Sequence, residues 1–147
     1  MESTECTLLV RRPASEVFKA LTDPEITTKF WFTKSSGPLV AGEKVRWEWE
    51  MYGASAEVAV MELKPGEKIT FQWGEPHRRV DIFLKPTNEG TYVMVREWGY
   101  VETGPELIAA IKDSTGGFTT MLDAMKAWLE HGIRLNLVAD KFRDVKF

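Results

Sequence analysis

The chain has 147 residues, 44% of them hydrophobic and 28% charged, which fits one unit of about 100 to 200 residues whose core forms without disulfides or a structural metal. Nineteen Lys and Arg against 22 Asp and Glu leave a net charge of -3, without the one-signed excess that favours nucleic acid phosphates or an anionic bilayer. The start MESTECTLLVRRP lacks the regions of a signal peptide, no apolar run approaches the ~20 residues that cross a bilayer, and the lone Cys6 suits a reducing compartment. The expectation is a cytoplasmic protein with no nucleic acid partner and no membrane span.

Thr4 to Val10 has the β-branched and apolar content of a first strand, and Pro13 suits the first turn of a helix whose Val17, Phe18 and Leu21 share a face. Thr22-Asp23-Pro24-Glu25 combines a capping-box spacing with a first-turn proline, so a second short helix is expected to carry Ile26, Phe30 and Trp31 inward before the break at Gly37-Pro38. From Glu43 to Trp98 the hydrophobic period becomes two. Turn signals at Tyr52-Gly53, Pro65-Gly66, Glu75-Pro76 and Asn88-Glu89-Gly90 divide the stretch into five short antiparallel strands. Folding each hairpin about its turn places Trp47 near Val60, Val60 near Phe71, Phe71 near Ile82 and Ile82 near Val95. One face then reads Val45, Trp47, Trp49, Met51, Val58, Val60, Glu62, Ile69, Phe71, Trp73, Val80, Ile82, Leu84, Val93, Val95 and Glu97, while Lys44, Arg46, Glu48, Arg79, Asp81 and Lys85 occupy the solvated face.

After Gly104-Pro105 the period is helical again, and Phe118, Met121, Leu122, Met125, Trp128 and Leu129 form a wide apolar stripe ending at His131-Gly132. A curved sheet with one apolar face and a long helix with one apolar stripe satisfy each other by packing together. The predicted class is α+β in the order β-α-α-β-β-β-β-β-α. Residues 133–147 carry Leu137, Val138, Phe142 and Val145 at helical spacing, an amphipathic extension suited to covering outer-face residues such as Phe83 and Met94 or a second subunit.

The residues also carry a family resemblance. The run Pro13 to Pro24 with Trp31 beyond it, Glu62-Leu63-Lys64-Pro65-Gly66-Glu67-Lys68-Ile69 leading to Phe71 and Trp73, Asn88-Glu89-Gly90-Thr91, and Gly117-Phe118 in the last helix resemble the START-like, or SRPBCC, superfamily. Within it the chain is similar to the branch named after the activator of the ninety-kilodalton heat-shock chaperone's ATPase. The resemblance covers nearly the whole chain, so residues 1–147 are expected to form a single START-like domain. At the last helix Gly117-Phe118 stands where the family pattern has Gly-Trp, which keeps an aromatic ring and removes an indole donor. The resemblance implies the helix-grip fold, in which the sheet wraps the C-terminal helix and leaves a cavity for hydrophobic or amphipathic small molecules.

The residues by themselves leave two readings of that space. Six Trp, eight Phe and six Met are large side chains that either fill a thick core or line a hollow. If hollow, its lining is expected from Trp31, Trp47, Trp49, Val60, Phe71, Trp73, Ile82, Val95, Glu97, Phe118, Met121, Leu122 and Met125. Glu62 and Glu97, the acids assigned to the apolar face, are candidates to orient a ligand or serve as a general base. Gly116 and Gly117 cost roughly 0.8 to 1 kcal/mol each inside a helix, so they either bend it at a cavity mouth, let it approach the sheet, or separate a short helix from the main one. His77-Arg78-Arg79 is either a solvated turn or a grip for an anionic group. His131 suits the helix C-terminus, and two distant histidines with one Cys show no metal-ligand spacing, so no metal and no cofactor are expected.

Three functions fit this pattern. The first is a binding protein for a lipid-like, aromatic or polyketide-like small molecule, acting as monomer or homodimer. The second, from the branch name alone, is a co-chaperone-like regulator with a chaperone partner. The third is a cyclase or hydratase using Glu97 or Glu62.

Overall fold

The computed structural model describes residues 2–75 and 77–147, so Pro76 of the expected Glu75-Pro76 turn lies outside the described residues. Strand β1 (Ser3–Val10) is followed by helices α1 (Ala14–Thr22) and α2 (Pro24–Thr27). The meander then runs through β2 (Lys34–Ser35), β3 (Lys44–Trp49), β4 (Ala54–Lys64), β5 (Lys68–Trp73), β6 (Arg78–Thr87) and β7 (Gly90–Trp98). Helix α3 (Gly104–His131) and the short α4 (Leu137–Lys141) complete the chain. The two-residue β2 is an addition to the expected order, too short to leave a periodic signal, while α4 is a helical turn within the amphipathic extension. Among the described residues no helix is long and apolar enough to cross a membrane.

All seven strands form one antiparallel sheet in the order β1-β7-β6-β5-β4-β3-β2. The meander places β2 to β7 side by side, and β1 closes the far edge against β7, from Ser3 opposite Trp98 to Val10 opposite Thr91. The β6–β7 turn passes so close to the end of β1 that a Cβ on Gly90 would sit 2.3 Å from the Val10 carbonyl oxygen, and its φ of +141° is likewise suited to glycine. At α2 the cap is Asp23, whose carboxylate accepts from the Glu25 N–H at 3.0 Å. The capping-box threonine, Thr22, instead donates back to the Phe18 carbonyl.

Parity assigned the faces of most strands correctly, but two registers differ from the expected ones. Trp47 lies opposite Ala56, not Val60, and Phe71 lies opposite Val80, not Ile82; Val60–Phe71 and Ile82–Val95 are direct partners. Each displacement is an even number of residues, so side chains stay on their face. A β-bulge is the exception: Val60 pairs with Phe71, the next aligned pair is Glu62 with Thr70, and Met61 is the extra residue. The bulge turns Glu62 to the outer face and brings Leu63, opposite Ile69, inward. Met51 also leaves the apolar face, because Glu50–Tyr52 is a turn of 3-10 helix and not strand.

Helix α3 runs unbroken for 28 residues through Gly116 and Gly117, with no separate leading helix. Its buried stripe of Phe118, Met121, Leu122 and Met125 meets Val58, Val60, Phe71, Ile82 and Val95 of the sheet in one core. The helix ends on Gly132 in the left-handed region, φ 66°, whose N–H returns to the Trp128 carbonyl. The extension does not cover Phe83 and Met94. It folds back onto α3, where Leu137 packs against the core and Tyr52 Oη donates to the Val138 carbonyl at 2.5 Å.

Candidate ligand-binding cavity

Seven aromatic rings meet near the ends of β3 and β5. Trp47 is central: it stacks on Phe32 with centroids 4.7 Å apart and meets Trp31 at 4.9 Å and Phe71 at 5.3 Å. Its indole is 1% exposed. Trp31, Trp49, Trp73 and Phe118 surround it, with Trp73 and Phe118 5.7 Å apart and inclined by 32°. Those four also form the wall of a cavity of about 500 Å3. The two readings of the aromatic residues are therefore both realised, a filled cluster around Trp47 and a hollow beside it.

The hollow lies at one end of the grip. The strand ends contribute Trp49, Trp73, Arg78 and Glu97; Tyr52 and Ala56 stand beside them; α3 contributes Asp113, Ser114, Gly117 and Phe118; and the extension supplies Val138 and Phe142. Of the residues expected in a lining, Trp31, Trp49, Trp73, Glu97 and Phe118 stand in this wall. Trp47, Val60, Phe71, Ile82, Val95, Met121, Leu122 and Met125 do not; they are fully enclosed in the solid core, where α3 lies flush on the sheet. Gly117 explains part of the difference, since nothing lies within 4 Å of where its Cβ would stand. Phe142 crosses over Gly116 instead, 3.8 Å from its Cβ position.

The floor is polar. Glu97, at the end of β7 and 2% exposed, accepts from Trp73 Nε1 at 2.6 Å through Oε2, and from Tyr100 Oη at 3.2 Å and Ser114 Oγ through Oε1. Arg78 Nη1 lies 3.8 Å from the same Oε1, its other terminal nitrogen donates to Glu102, and its guanidinium covers the Tyr100 ring at 4.4 Å. With Tyr100 donating to Glu97, the 2.8 Å contact to Thr4 is a bond donated by the threonine. Burial pushes the Tyr100 phenol above its ordinary value. Hydrogen bonding from its own backbone N–H, with Arg78 adding, holds the Glu102 carboxyl below the usual range.

Glu62 takes no part in this site. Beyond the bulge it is on the outer face within 3.8 Å of both Lys64 and Lys68. The basic run divides: Arg78 reaches the cavity, Arg79 turns to Asp81 and the Trp98 ring, and His77 faces Glu75 at 3.7 Å. Among the described residues no group of three or more His, Cys, Asp or Glu is placed to hold a metal ion. Sequence reasoning gave no site role to Tyr52, Tyr100, Glu102, Asp113 or Ser114. Arg78 and Phe142 did leave a signal, one in a basic turn and one in the amphipathic tail, but neither could be aimed without the third dimension.

The family model described as Activator of Hsp90 ATPase homolog 1-like protein matches residues 11–130. No curated protein matches the chain. Among solved structures, SSP2350 from Staphylococcus saprophyticus is 25% identical and superposes with a TM-score of 0.81 over 91% of this chain and 96% of that one. DynU16, a protein of the dynemicin biosynthetic locus, is 20% identical with a TM-score of 0.82; the match covers 91% of this chain and 49% of DynU16. The Aha1 dimer from Colwellia psychrerythraea, solved in solution, is 19% identical with a TM-score of 0.77 over 90% of this chain and 98% of that one.

Proposed function

This chain belongs to the Activator of Hsp90 ATPase homolog 1-like family, with the curved-sheet and long-helix architecture of the START-like fold, and on that premise we propose that it binds an amphipathic small molecule in the cavity beside residues 113–118 of α3. The observation that carries the reading is the hollow itself: about 500 Å3 walled by Trp31, Trp49, Trp73 and Phe118 and floored by the Glu97 network. Pockets of roughly 300 to 1,000 Å3, mainly apolar with a few converging polar groups, are the usual form of small-molecule sites. A flat or fused-ring body fits between indoles, while its polar end meets Glu97 and Ser114. DynU16, from a biosynthetic locus, shares this fold, which supports a small-molecule role.

Glu97 acts as an anchor in this reading, not as the base of a cyclase or hydratase. Its oxygens already receive hydrogen bonds from Trp73, Tyr100 and Ser114, so the carboxylate is fixed in place and ties the ends of β5 and β7 to the N-terminal half of α3. The test uses N-phenylnaphthylamine, a neutral apolar dye. Its fluorescence is expected to rise on binding to the wild-type chain and to stay near the free-dye value with Gly117→Leu, whose side chain enters the hollow from open space beside α3. An equal rise with both chains, or none with the wild type, overturns the reading.

A further inference from the structure

The charges around the cavity select among amphipathic ligands, an inference that rests on the binding role proposed above. Glu75, Glu97, Glu102 and Asp113 contribute to the wall, with Arg78 as the cation among the described lining residues. Two of these carboxylates, Glu97 and Glu102, lie beside the guanidinium, Asp113 is exposed on α3, and Glu75 lies at the exposed rim against His77. That guanidinium is already committed, bonded to Glu102, 3.8 Å from Glu97 and stacked on Tyr100. An anionic ligand therefore meets no free cation among the described lining residues and must enter a wall of like charge, at a cost that grows as the site is closed from water.

Two further features favour the opposite charge. Glu97 is buried at the cavity floor, and its Oε2 accepts one bond, from Trp73, where a carboxylate oxygen has room for two. A donor on the ligand completes it. The walls beside it are the rings of Trp31, Trp49, Trp73 and Phe118, and the negative faces of such rings attract a cation at about 6 Å or less from the centroid.

We propose that the cavity takes an amphipathic amine in its ammonium form, with an aromatic or alicyclic body between the indoles and the charged nitrogen directed to the acidic wall at Glu97 and Asp113. Binding is reversible and breaks no covalent bond. Alcohols of the same shape bind through the apolar body and a single donor. Carboxylates of the same shape bind least.

Three matched probes test this by calorimetry on the full chain: naphthylmethylamine, naphthylmethanol and naphthylacetate, the same ring isomer in each. At neutral pH and low salt the amine is expected to bind about tenfold more tightly than the carboxylate, with the alcohol between them, and added salt is expected to narrow the gap. Asp113→Asn, an exposed change on α3, is expected to bring the amine closer to the alcohol by about threefold through loss of one facing charge. If the alcohol equals the amine, or the carboxylate binds best, charge selection is wrong while the cavity still binds. If none of the three binds, the cavity reading fails and this inference falls with it.

Discussion

Two halves of the space under α3 are built from similar residues and end differently. Around Trp47, Met121 and Met125 every ring and thioether has a neighbour, and the sheet and helix close without a gap. Around Trp31, Trp49, Trp73 and Phe118 the same kinds of side chain border open space. The contrast lies in what faces them. The solid half sets Met121, Leu122 and Met125 against the sheet, whereas the hollow half sets Gly117 there, which has no side chain to span the distance, and Ser114, which reaches the sheet only at the Glu97 carboxylate. The hollow half is also held apart by hydrogen bonds, since Glu97, Ser114, Tyr100 and Arg78 form a strut where the other half has apolar contact. A cavity in this fold follows from small residues on the helix and a polar brace at its edge, not from the aromatic rings alone.

Truncation separates the halves most sharply. Trp47→Ala is expected to cost about 3 to 5 kcal/mol, because it empties a site enclosed on every side. Trp49→Ala, at the half-buried rim, is expected to cost about 1 kcal/mol, as a wall open on one face loses fewer contacts. Urea melts of both variants check this, and equal losses would mean that the rim is as tightly packed as the centre.

Removing the brace comes next. Glu97→Ala removes the acceptor shared by Trp73 Nε1, Tyr100 Oη and the buried Ser114 Oγ, while Arg78 keeps Glu102, an expected loss of about 3 kcal/mol. A loss below about 1 kcal/mol would show that the network is dispensable to the fold.

Filling the hollow has the opposite sign. Gly117→Leu is expected to raise stability by about 1 kcal/mol, from helix propensity with added burial, in the same variant that excludes the dye. A destabilised Gly117→Leu would mean that the space is smaller than the structure shows.

The smallest effect is on pH. The Tyr100 phenol is raised in the folded chain by burial, so its contribution to stability is fully present below the unfolded value near 10 and is lost as pH climbs through the higher folded value. Denaturant midpoints at two alkaline pH values are expected to fall less for Tyr100→Phe than for wild type. The same fall in both would remove Tyr100 from the titration.

Much of the scaffold was legible because it rests on periodicity. A period of two from Val45 to Glu97 identified the inward face, and the Phe118 to Met125 spacing identified the stripe that meets it. The Met61 bulge was not legible, as inserting one residue leaves no mark in the alternation except that Glu62 and Leu63 exchange faces. Nor was the role of Arg78, which sits in a run of three basic or titratable residues of which one points inward.

From the order of residues alone came the α+β class, the antiparallel meander, the long closing helix and the resemblance to the START-like proteins, all of which follow from local preference and hydrophobic spacing. The position and extent of the hollow were decided in three dimensions. Whether two apolar surfaces touch depends on the gap between them relative to side-chain length, and that gap is set jointly by Gly117, the Glu97 brace and the returning tail at Val138 and Phe142, residues distant along the chain. No periodic pattern encodes a distance between elements, so the same tryptophans read alike as packing and as lining until the backbone placed them.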